Sequence, residues 1–191
     1  MKHRVALWTV GVSAVLILAG AASLATLAAL PTPTHFSGVI NDYTAVVNTA
    51  PPGQTGPWEV RGPWSLSVHE RSGTADFSAA VTMELSDSSL SSAEISDSAR
   101  LQHTHNITVD GGMVTPIAGG FEVMGPVTIT KNGGPAPAAL QGTILVIDVT
   151  GGTLVPYSNI TLQFQNGAAT HFGSNPLSGV VRKADRPADE P

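Results

Sequence analysis

The chain has no cysteine. That excludes disulfides, thiolate metal sites, lipid attachment through a cysteine and a cysteine nucleophile. Charge is scarce too, at 12% of residues, and aromatic side chains make up only 5%. The nine Lys and Arg residues are scattered, and the formal net charge is −5. An acidic chain with no basic patch argues against nucleic acid and anionic lipid surfaces as partners. No G-x-S-x-G elbow, P-loop, G-x-G-x-x-G or H-E-x-x-H occurs. Covalent chemistry would fall to a serine or threonine that no local motif marks.

What is present begins with a long apolar run. Lys2, His3 and Arg4 precede an uncharged stretch, Val5–Leu30, which stops at Pro31-Thr32-Pro33. A basic start followed by such a stretch reads as a signal peptide or a membrane anchor. As a helix it would reach about 39 Å, more than the roughly 30 Å of a bilayer's hydrocarbon core. Leu7–Leu18 is its most apolar part, and Ala19-Gly20-Ala21 and Ser23-Leu24-Ala25 offer small-x-small cleavage patterns. The expectation is an exported protein, whether secreted, periplasmic or anchored. Contact with a membrane would come only through residues 5–30, if they are retained. Without Lys2 and Arg4 the net charge falls to about −7, which does nothing to attract polyanions.

Behind the leader the pattern has a period of two. Trp64, Leu66 and Val68 alternate with Ser65, Ser67 and His69. Phe77, Ala79, Val81, Met83 and Leu85 alternate with Ser78, Ala80, Thr82 and Glu84, and Ile160, Leu162 and Phe164 with Thr161, Gln163 and Gln165. Such alternation marks half-buried strands. Further strands are expected over Phe36–Asn41, Trp58–Arg61, His103–Val109, Phe121–Thr130, Thr143–Thr150 and Leu177–Arg182. Glycine pairs separate several of them, and Asp110-Gly111 and Asn132-Gly133 are hairpin turn types, because such turns need positive φ. The fold class expected is all-β: an antiparallel barrel or sandwich of about eight to nine strands behind an N-terminal apolar helix. One domain is expected over 31–183, with a polar, disordered tail over 184–191. The one weak helical segment, Asp87–Arg100, has a possible capping box at Ser91-x-x-Glu94. It lies in a serine-rich stretch that reads equally well as a flexible excursion.

The sharpest chemical signal is His103-Thr104-His105. On a strand the two imidazoles project from one face, about 7 Å apart, together with Ile107 and Val109. They extend the apolar, inward series. An inward histidine pair at the mouth of a barrel suits a divalent transition metal, since neutral imidazole is a common ligand. Two ligands are too few, so His35, His69 or His171 would have to complete the site. The bland alternative is that the pair opens the strand and bonds to backbone or water. No other cofactor is indicated.

The pair resembles part of the first cupin motif, His-x-His followed by a carboxylate, with Asp110 in the carboxylate's place. His171 with Asn175 resembles a fragment of the second motif. The resemblance implies a metal-dependent enzyme, but the glycine and proline framework of both motifs is missing, and strict alternation points Asp110 away from the histidines. The run from Gly56 to Glu84 also resembles exported bacterial proteins that carry a His-x-His, which implies an envelope or secreted location and no particular activity.

Aromatic residues supply a second set of candidates. Two Gly-Pro-Trp triplets place Trp58 and Trp64 on one face of an unbroken strand. Trp58, Trp64, Phe77 and Phe121 are candidates to line a cavity for a small apolar or amphiphilic ligand. Packing in the core is the competing role. Pro63 lacks a ladder donor and suggests an edge strand or a bulge. Asp148, inside an apolar run, is either a buried carboxyl with a raised pKa or a residue of the solvent face. Three functions stay open: an exported domain binding an apolar ligand or an envelope partner, a metal-dependent enzyme built on His103 and His105, and a purely structural envelope domain.

Overall fold

The computed structural model describes residues 34–44, 57–86 and 102–185. The leader, the capping-box segment and the last six residues lie outside the described residues. Among the described residues no helix is long and apolar enough to cross a membrane.

Alternation does form strands. The described chain folds into β1 (His35–Tyr43), β2 (Trp58–His69), β3 (Thr74–Leu85), β4 (Gln102–Ile117), β5 (Gly120–Lys131), β6 (Gly134–Pro135), β7 (Ile144–Thr150), β8 (Asn159–Phe164) and β9 (Leu177–Asp185). One four-residue helix, α1 (Ala169–Phe172), follows a 3-10 turn after β8. Every pairing is antiparallel, and the sheet runs β4-β3-β2-β1-β9-β8-β7-β5. β4 also pairs with β5, which closes an eight-stranded barrel, and β6 forms a short hairpin beside β5. The architecture is therefore a barrel, and its strands follow chain order around the ring. That connectivity differs from the double Greek key of the cupin jelly roll.

An eight-stranded barrel has an interior just wide enough for side chains to fill. Here Leu66, Phe77, Ile107, Leu145, Ile147, Ile160 and Leu162 fill it and are almost wholly buried. Closure of the eight long strands leaves none of them with an unpaired ladder edge among the described residues.

Three local features depart from expectation. Asp110-Gly111 is not a hairpin turn. β4 continues through it, and the pairing with β5 shifts register between Val109 and Met113. Gly111 has φ +66°, and its N–H donates to Asp76 Oδ1 at 2.7 Å. A bulge and a tight hairpin both need positive φ, so the residue pair alone does not distinguish them. Pro63 lies in neither an edge strand nor a register shift. It pairs with Val39 of β1, while the ladder to β3 lapses at Gly62 and Pro63 and resumes in the same register. Finally, β9 runs to Asp185, where Asp185 and Ala184 pair with His35 and Phe36. The strand therefore takes the first two residues of the expected tail. The Asn132-Gly133 hairpin forms as expected, with φ of 49° and 76°.

Candidate metal centre

The barrel's two ends are built differently. At one end the strands are joined by residues 70–73, 118–119 and 151–158. At the other end the connections are longer: 44–57, 86–101, 132–143 and 165–176. The histidines lie at this second end. His103 and His105 enter from the first turns of the β4 ladder, and His171 comes down from α1 in the last connection.

From Gln102 to Val109 β4 buries every second residue, so both histidines face inward at 4% and 1% exposure. His171 Nε2 lies 2.9 Å from His105 Nε2 and 3.2 Å from His103 Nε2. The three potential ligand atoms all lie within 4.8 Å of one another. His105 Nδ1 is 2.7 Å from the Thr130 carbonyl oxygen. A carbonyl only accepts, so Nδ1 carries the proton and Nε2 presents its lone pair. Such a backbone hydrogen bond orients metal-ligating imidazoles.

Aromatic packing fixes the rings. Phe172 stacks on Phe164 with centroids 4.1 Å apart and contacts both His105 and His171 edge-on. The half-buried Trp58 meets His103 edge-on at 5.0 Å. Burial disfavours the charged imidazolium. It pushes His103 down to about 3, with help from His105 and Lys131, and His171 down to about 4, again with His105 and Lys131. His105 is lowered by burial, against the opposing pull of its bond to Thr130. All three are therefore neutral at pH 7, the form that binds metal.

The donor set suits a divalent transition metal. A tetrahedral ion with metal–nitrogen distances of about 2.0–2.1 Å holds its nitrogens about 3.3 Å apart; the His103–His171 pair matches this at 3.2 Å, and the His105–His171 pair, at 2.9 Å, is shorter. Neutral imidazoles alone meet this arrangement poorly. His105 Nε2 has no proton to give, and a proton on His171 Nε2 points well at only one neighbour.

The other candidates go elsewhere. His35 bonds Ser67 and His69 bonds Asp76, both at the opposite end. Asp110 and Asn175 are exposed, and the cupin-like carboxylate Asp110 is not grouped with the three histidines. Trp64 and Phe77 stack in the core at 6.4 Å, Phe121 packs with Phe36 and Tyr157, and Trp58 joins the histidines. The four aromatic candidates are thus not gathered around one space. Asp148 lies on the outer face, half-buried, with its pKa raised by burial.

Lys131 and the Thr130 carbonyl were not among the sequence candidates. The signal for Lys131 was present: it continues the odd-numbered series Phe121, Val123, Gly125, Val127 and Ile129, all inward. No family model, curated protein or solved structure matches the chain.

Proposed function

We propose that this barrel is a metal-binding protein whose ion is held by His103, His105 and His171. The observation that supports it is that three neutral imidazoles bring their ligand atoms within 4.8 Å of one another, with His105 oriented from behind by a backbone carbonyl. Zinc is the ion the donor set suits best. Three histidines leave a fourth position for water or substrate, the pattern of catalytic rather than structural zinc. A bound divalent ion would acidify that water and supply a hydroxide nucleophile near neutral pH. The reading is therefore a metal-dependent enzyme acting by hydration or hydrolysis, in a barrel whose bore is a packed core.

Metal analysis of protein purified without a polyhistidine tag tests it. About one equivalent of a transition metal is expected, lost in His103→Ala and in His171→Ala. Folded protein that takes up no stoichiometric metal from a zinc-containing buffer overturns the proposal.

A further inference from the structure

The lysine beside the histidines has no role in holding a cation. Lys131 is the last residue of β5, half-buried, at a position of the inward series. β4 and β5 pair with Ile107 opposite Ile129, so continuing the register sets His105 opposite Lys131. The neighbouring backbone fixes that register. Asn132 N–H donates to the Thr104 carbonyl, and Thr104 N–H donates back to Asn132 Oδ1. Lys131 is also the charged side chain that acts on all three histidines, and no carboxylate among the described residues does so.

A lysine at this point is unfavourable for an empty metal site. A divalent ion on three neutral imidazoles keeps its full double charge, and the ammonium beside it adds a third positive charge. Like charges in a partly buried mouth repel strongly, because the local dielectric is well below that of water. A ligand carrying negative charge removes the conflict. One oxygen would take the open metal position, and the other would accept from the ammonium.

We propose that the centre selects an anionic ligand, a carboxylate or a similar small oxyanion, which bridges the metal and Lys131. This rests on the metal-binding reading above. It names the substrate class of that site and excludes neutral amides and sugars as preferred ligands.

Cobalt-loaded protein tests it, because cobalt's visible bands report on the fourth ligand. Acetate is expected to shift the bands at millimolar concentration, and acetamide at the same concentration is not. Lys131→Met should weaken acetate binding about tenfold or more, while cobalt affinity in a non-coordinating buffer stays equal or tightens. Lys131→Arg, which keeps the charge, should retain most of the acetate affinity. If cobalt binds but acetate and acetamide act alike, or Lys131→Met leaves acetate affinity unchanged, the anion proposal fails and the metal centre stands. If no cobalt binds to folded protein, the metal centre itself fails, and this inference with it.

Discussion

The two ends of the barrel share one core and one set of strands, yet they differ in what they place on the inward face. At the end with short connections the inward series closes with hydrocarbon and aromatic rings: Phe36, Phe121 and Tyr157 pack against one another. Its histidines, His35 and His69, point outward and bond to Ser67 and Asp76. At the other end the same inward series carries His103, His105 and Lys131, and a long connection adds His171 above them. A histidine on the outer face is solvated and paired locally. A histidine on the inner face loses water and must find a backbone carbonyl, other imidazoles or an ion. One residue type thus takes two chemistries, and strand parity decides which.

The largest test of that contrast is metal affinity. His105→Ala should weaken zinc binding about a hundredfold to several hundredfold, since full zinc sites gain about 10–16 kcal/mol shared among four ligands. His69→Ala should leave it unchanged. Competition with a chromophoric chelator measures both, and equal losses would erase the distinction between the ends.

Next come the aromatic residues under each end. Phe172→Ala and Phe121→Ala each remove a fully buried ring, and each should lower stability by about 3–5 kcal/mol in urea unfolding. Only Phe172→Ala should also weaken metal binding, because Phe172 packs on His105 and His171.

The third test is pH, on metal-free protein. The folded-state values of the three histidines lie below their unfolded values, so the unfolded chain binds protons first as pH falls. Their stability contribution is therefore complete above about pH 6.5 and is lost as pH drops toward the folded values of about 4 and about 3. The slope is at most about 1.4 kcal/mol per pH unit for each histidine. Replacing all three with Gln should flatten the unfolding free energy between pH 7 and 5.

The smallest effect belongs to the bulge. Gly111→Ala meets no neighbouring atom, so its penalty is only the positive φ, about 1–2 kcal/mol. Metal binding should be untouched. A larger loss would mean that the bulge sets the alignment of the whole β4–β5 ladder.

Much of this fold could be read from residue order, because burial on a strand alternates with the side chains. The strand of Phe77 to Leu85 and the inward histidine pair follow from that rule alone. The closure of the ring does not, since pairing of His35 with Asp185 leaves no local trace. His171 is the clearest example. The sequence offered it as a possible third ligand, alongside His35 and His69, but no local rule sets it against His105, because α1 is placed there by the stacking of Phe172 on Phe164, a contact between a helix and a strand. Pro63 and Gly111 show the opposite limit. Their backbone requirements are plain in the sequence, but an edge, a bulge and a turn can each satisfy them.

The pairing of β1 with β9 has a consequence in time. Until the last strand is made, β1 lacks a partner on one side, so the ladder is an open ribbon with two unsatisfied edges. The segment that supplies β9 follows directly on the one that carries His171. Ring closure and completion of the histidine cluster therefore both wait for the same late stretch of chain. Contacts between distant parts of a chain form slowly, because loop closure must come first. A chain stopped short of residue 165 would lack both the final stave of the barrel and the third imidazole.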